Sequence, residues 1–128
     1  MSFRINPKGK KHQRLVLLVD KKPFLDILED AIPKNAKLSN WKEKGDATLI
    51  MEYLTETIKK SGEFHFFTCD YCSIPEDLIL EPIEVIHQND YVIWKVKPPG
   101  ADVYYDKFDI LSFKFHFPQY KKTILQMM

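Results

Sequence analysis

Apolar residues in the first part of the chain change from a continuous run to a helical spacing. The segment from Gln13 to Val19 is rich in consecutive apolar residues, which predicts a buried β-strand. From Phe24 to Ile32 the apolar positions recur at the spacing of one face of an α-helix. Pro23 suits the first turn of this helix and Pro33 ends it.

A second helix is predicted after a polar connection over residues 34–45. Asp46 is a good N-cap residue, and Gly62 is typical of the position just past the end of a helix. Between them lies an apolar stripe with the spacing of a helix face that packs on a core, formed by Ile50, Leu54 and Ile58.

The second half of the chain has the alternation and the turn residues of antiparallel strands. We predict strands at Glu63 to Cys69, Ile83 to His87 and Tyr91 to Lys97, with Gln88 to Asp90 as a hairpin loop. Asp109 to Phe117 alternates clearly, so every second side chain should face the core. We expect Phe113 and Phe115 to be buried, on the face shared by Leu111, Phe113, Phe115 and Phe117.

The order of these elements predicts an α+β fold. A mainly antiparallel sheet of about five strands would carry two helices packed on one face. Pro118 would open a short C-terminal helix that includes Leu125. Residues 13–128 have the length of a single α+β domain, and we interpret residues 1–12 as a basic flexible arm with a short strand at Phe3 to Ile5.

Composition narrows the class of protein. Hydrophobic residues make up 45% and aromatic residues 13% of the 128 residues, enough for a core without disulfides or metal. The net charge of +1 argues against a strongly basic nucleic-acid binder, and the longest apolar run, Leu15 to Val19, is too short to span a bilayer. Two cysteines and the lack of a signal-peptide pattern predict a cytoplasmic protein with reduced thiols.

One segment is acidic although the whole chain is nearly neutral. Ser61 to Trp94, which we name the acidic block, contains seven carboxylates and no Lys or Arg. Such a segment attracts a basic partner, and tyrosines are favoured interface anchors; the alternative is a solvated sheet edge whose charges discourage aggregation. The predicted partner-binding residues are Asp70, Tyr71, Glu76, Asp77, Glu81, Glu84, Asp90 and Tyr91.

Cys69 and Cys72 have the spacing of half a zinc site. A zinc-stabilised interaction domain would need further ligands from His65, His87 or His116, and a redox dithiol normally sits at the start of a helix. We favour two thiols in a turn and expect neither a metal nor a cofactor.

The sequence has no nucleophile elbow and no phosphate-binding glycine loop. We therefore predict no catalytic residues, with an orphan enzyme of unrecognised site as a further alternative.

Several short motifs lie together in order: a strand ending in Cys, a second Cys in the following turn, a Val-x-Trp hairpin, and a Phe-x-Phe strand before Gln-Tyr. The matching residues are Thr68 to Cys72, Val92 to Trp94, Phe113 to Phe115, and Gln119 with Tyr120. In this order they resemble a loose family of small uncharacterised bacterial proteins, some of them immunity-protein-like. The resemblance implies a non-enzymatic immunity protein that neutralises a cognate toxin, such as a basic nuclease, without itself binding nucleic acid or membrane.

Overall fold

The computed structural model describes residues 2–8, 12–33, 47–69, 80–104 and 107–127. Its helices are α1 (Phe24–Asp30), α2 (Met51–Lys59), α3 (Ala101–Tyr104) and α4 (Phe117–Leu125). Its strands are β1 (Ser2–Lys8), β2 (His12–Val19), β3 (Lys22–Pro23), β4 (Ala47–Leu49), β5 (Gly62–Phe64), β6 (Phe67–Cys69), β7 (Ile83–Gln88), β8 (Tyr91–Val96) and β9 (Leu111–His116).

Within these ranges, all strand pairs are antiparallel and form three sheets. The sheet orders are β1-β2-β3, β4-β6 and β5-β7-β8-β9. The predicted α+β class with antiparallel pairing is therefore confirmed. One sheet of about five strands is too simple a description, because the strands divide among several smaller sheets.

Two predicted elements are each divided in the structure. The predicted helix between Asp46 and Gly62 begins only at Met51, since Ala47–Leu49 forms β4 and pairs with Phe67–Cys69. The predicted strand from Glu63 to Cys69 is interrupted, so its two ends, β5 and β6, join different sheets. Asp46 itself lies outside the described residues. A three-residue strand is too short to show a period of its own, so the apolar pattern alone could not separate β4 from α2.

The strand predicted at Phe3 to Ile5 is part of a longer one. Ser2–Lys8 pairs with β2 residue by residue, from Ser2 opposite Leu18 to Lys8 opposite His12. β2 matches the predicted strand from Gln13 to Val19 closely. The assignment of residues 1–12 to a flexible arm and of 13–128 to one domain stays a prediction.

The core lies between the four-stranded sheet and three helices. α1 buries Phe24 and Leu28, α2 buries Leu54, and α4 buries Tyr120 and Ile124. These side chains belong to one hydrophobic cluster with the inner faces of β7 and β8. The helical spacings read from the sequence thus mark faces that pack on a common core.

Trp94 is the centre of this core. Its side chain is fully buried at 0% exposure. The ring centroids of Phe66 and Phe115 lie 4.8 and 4.6 Å from it, and those of Phe24 and Tyr120 lie 5.5 and 5.9 Å away. All four contacts are edge-to-face, the geometry that the quadrupoles of aromatic rings prefer.

The β7–β8 hairpin and β9 agree with the predicted pattern except in the turn and in burial. Gln88, predicted in the loop, is the last residue of β7 and pairs with Tyr91. Asn89 adopts a positive φ of 55° in the two-residue turn, as hairpin turns require. Ser112, Lys114 and His116 are exposed and their alternate neighbours are not. Phe113 and Phe115 are only half-buried, however. β9 is the last strand of its sheet, so among the described strands it has a neighbour on one side only.

A polar network crosses the core. The indole Nε1–H of Trp94 donates to the Tyr120 hydroxyl at 3.1 Å, and the Tyr120 and Thr57 hydroxyls lie 2.5 Å apart. Thr57 in turn donates to the Leu54 carbonyl. Every buried side-chain nitrogen and oxygen that the structure describes has a hydrogen-bond partner, as native cores require.

None of the described helices is long and apolar enough to cross a membrane.

Candidate functional site

The structure describes half of the predicted partner-binding residues. Glu84 lies on β7, Tyr91 opens β8, Asp90 is in the turn between these strands, and Glu81 precedes β7. Asp70, Tyr71, Glu76 and Asp77 lie outside the described residues, as does Cys72.

Charged residues meet on the solvent side of the four-stranded sheet, which we name the outer face. Strand register places Glu63 of β5 directly opposite Glu84 of β7, and Glu84 directly opposite Lys95 of β8. All three side chains are exposed. Because side chains alternate across a strand, these residues point away from the buried Val85 and Trp94.

An open groove of about 280 Å³ lies at this part of the outer face. It is lined by three carboxylates, two ammonium groups and two apolar residues, and we name it the acidic groove: Glu63, Glu81, Pro82, Glu84, Lys95, Lys97 and Ile110. Ile110 is 55% exposed. This exposed isoleucine, among charged lining residues, gives the groove an apolar point of contact.

Glu63 and Glu84 face each other without a cation between them. Like charges at directly opposed positions of an antiparallel pair are destabilising. Among the residues that the structure describes, neither carboxylate forms an ion pair within 4.0 Å. A cation placed between them from outside would therefore be attracted by both.

Glu81 lines both the acidic groove and a small cavity bordered by buried core residues such as Leu28 and Phe66. Burial raises the pKa of its carboxyl group, and the hydrogen bond and negative charge of Asp102 raise it further. The charges of Lys97 and His65 oppose this shift. Lys97 Nζ also lies 3.2 Å from Asp102 Oδ2. Glu81 is thus part of a small network rather than a free surface carboxylate.

In the sequence the acidic block is free of Lys and Arg, but in the folded protein cations lie beside it. Its strands lie beside cations from outside the block: Lys95 opposes Glu84, and Lys114 of β9 lies over the Tyr91 ring, with Nζ 4.1 Å from the centroid. The His116 ring also meets Tyr91 edge-on at 5.8 Å. Tyr91 is 39% exposed, so it retains surface for a partner. The predicted three-residue loop, Gln88 to Asp90, would place Glu84 opposite Trp94. Lys95 lies opposite Glu84 because the turn has only two residues.

The histidines proposed as zinc ligands lie in separate places. His65 lines a small cavity near Glu81, and His87 donates from Nε2 to the Thr57 carbonyl at 2.6 Å. His116 meets the Tyr91 ring edge-on. Across the described ranges, no three His, Cys, Asp or Glu side chains form a group that could hold a metal ion.

Comparison with known proteins leaves the function to be inferred from this geometry. No family model, curated protein or solved structure matches the chain.

Proposed function

We propose that the protein is a non-enzymatic binding protein, and that it acts as an immunity protein by neutralising a basic bacterial toxin such as a nuclease. The observation that carries the proposal is the direct opposition of Glu63 and Glu84 beside an open groove. Two carboxylates on adjacent strands, neither within 4.0 Å of a described cation, provide two acceptors for one guanidinium or ammonium group.

A nuclease must present cations to its nucleic acid, because phosphate contacts dominate that affinity. Carboxylates offered to the same cations compete with phosphate and accelerate encounter at low salt. Ile110 and Tyr91 add apolar surface at the groove and at the end of the hairpin. The combination of an apolar contact with a charged rim is typical of protein interfaces. The proposal assigns a partner-binding role to these residues and a catalytic role to none.

The central test reverses the opposed pair. We expect Glu63→Lys combined with Glu84→Lys to weaken toxin binding by at least about tenfold and to abolish protection, because the groove would repel a cationic partner. The measurement is survival of bacteria that co-express the protein with a candidate basic nuclease toxin, together with binding of the purified toxin at low and high salt. Thermal stability should fall only slightly: both side chains are exposed, but Glu84→Lys replaces the attraction to the opposed Lys95 with repulsion.

A matched control reverses an exposed glutamate elsewhere. Glu52 is exposed on α2, whose buried face packs on the core side of the sheet. Glu52→Lys makes a charge change of the same kind and should leave protection intact. Full protection by the double variant at Glu63 and Glu84 would show that the acidic groove is not the toxin-binding surface.

A further inference from the structure

Backbone groups on one edge of β9 point away from β8 and pair with no described strand. The Phe117 N–H donates to the Asp90 carbonyl at 2.7 Å, which fixes the phase of the β8–β9 ladder because hydrogen-bonded pairs alternate in antiparallel strands. The residues that exchange hydrogen bonds with β8 are therefore Phe115, Phe113 and Leu111. The N–H and C=O groups of Ser112, Lys114 and His116 point away from β8.

No described strand pairs with that side of β9. An open groove of about 350 Å³ borders it instead, and we name this the edge groove. The edge groove is lined by Phe113 and Phe115 of β9 and by Gln119 and Thr123 of α4. Val19, at the end of β2, and Asp20, in the following turn, complete this part of the lining. There is consequently space beside the unpaired backbone for another segment.

We propose that β9 binds an extended segment of a partner protein as an added strand, and that this segment alternates apolar and acidic residues. An added strand would complete the backbone hydrogen bonds of Ser112, Lys114 and His116. Its inward side chains would rest on Phe113 and Phe115, both half-buried at present. Its outward side chains would lie beside Lys114 and His116, which are exposed on the outer face, where a carboxylate is favoured.

A second copy of this chain fits the edge less well. An antiparallel self-pairing that uses all three outward-facing residues of β9 would place Lys114 opposite its own copy. Like charges at directly opposed positions are destabilising, and Lys on an edge strand is a known obstacle to self-association. The inference does not depend on the proposed toxin-binding role, because the edge groove and the acidic groove share no lining residue.

The probe is a short capped peptide that alternates valine and glutamate, compared with the same peptide carrying lysine in place of glutamate. We expect the glutamate peptide to bind more tightly and to slow hydrogen exchange of the Ser112, Lys114 and His116 amides. N-methylation of the peptide amides on the pairing edge should abolish binding, while methylation on the other edge should be tolerated. Equal binding of both peptides, no binding of the glutamate peptide, or protection of other amides would overturn the proposal.

The matched variants are Ser112→Pro and Ser112→Ala. Proline removes an amide that does not pair with β8, so the β8–β9 ladder remains, and edge strands tolerate proline. We expect Ser112→Pro to lower peptide affinity about tenfold and Ser112→Ala to leave it unchanged. Thermal unfolding of both variants confirms that the fold is retained. If the free protein is a dimer that Ser112→Pro dissociates, a second copy occupies the edge and the proposal is wrong.

Discussion

Replacing Trp94 by alanine is expected to lower the free energy of unfolding by about 3–5 kcal/mol, the largest effect of any single substitution considered for this protein. The side chain is fully buried and contacts five aromatic rings, which approach it from α1, β9, α4 and the segment before β6. Removing the indole leaves a cavity among rings that cannot all move inward together. It also leaves the Tyr120 hydroxyl without its donor.

Denaturant unfolding of the purified protein measures this loss. Trp94→Phe is the matched control, because it keeps an aromatic ring but removes the Nε1–H donor, and it should cost clearly less. Tyr91→Ala tests an exposed aromatic residue on the same strand and should cost less still. If Trp94→Ala were to cost under about 1 kcal/mol, Trp94 would not be the centre of the core.

The sequence predicted best those elements whose apolar spacing extends over several residues. The β7–β8 hairpin and β9 alternate over six residues each, so both their existence and their buried faces were clear. α1 and α4 were also predicted, with Pro118 in the first turn of α4. In these elements local pattern and tertiary environment agree, which makes the sequence readable.

Long-range pairing was not predictable in the same way. β4 exists because Ala47–Leu49 pairs with Phe67–Cys69, about twenty residues away, and such short strands carry no period of their own. The position of β9 at the edge of the sheet is likewise a property of topology. Alternation showed which side of β9 faces inward. Only strand order shows that no described strand pairs with β9 on the side away from β8.

In the candidate site, too, some residues were predicted from the sequence while their neighbours in space were not. Glu84 and Tyr91 were selected from sequence because they belong to an acidic, tyrosine-containing segment, and both lie on the outer face. Their important neighbours were missed: Glu63 was counted in the acidic block but not placed opposite Glu84, and Lys114 reaches Tyr91 across a strand pair. The sequence shows how many charges a segment carries, but only the strand register shows which charged side chains lie next to each other on the surface.

The second large effect concerns Tyr120, whose hydroxyl joins three elements of the core. Trp94 donates to it from β8, and its own proton satisfies Thr57 on α2. Tyr120→Phe would leave the indole N–H buried without an acceptor, which is expected to cost about 1–3 kcal/mol at neutral pH. Thr57→Val would remove the other partner, and the two substitutions should be non-additive because they act on one network.

Alkaline pH tests the same hydroxyl in the unsubstituted protein. Burial raises the pKa of Tyr120 from its usual 10.0 to about 12, so between these values the unfolded chain releases a proton that the folded protein still holds. This contribution to stability is complete below about pH 10 and is lost as pH rises to about 12, by up to about 3 kcal/mol. The Tyr120→Phe variant lacks the titrating group, so we expect the stability difference between the two proteins to narrow over that interval in denaturant unfolding. A difference that stays constant from pH 9 to 12 would show that the Tyr120 hydroxyl is not held neutral by burial in the folded state.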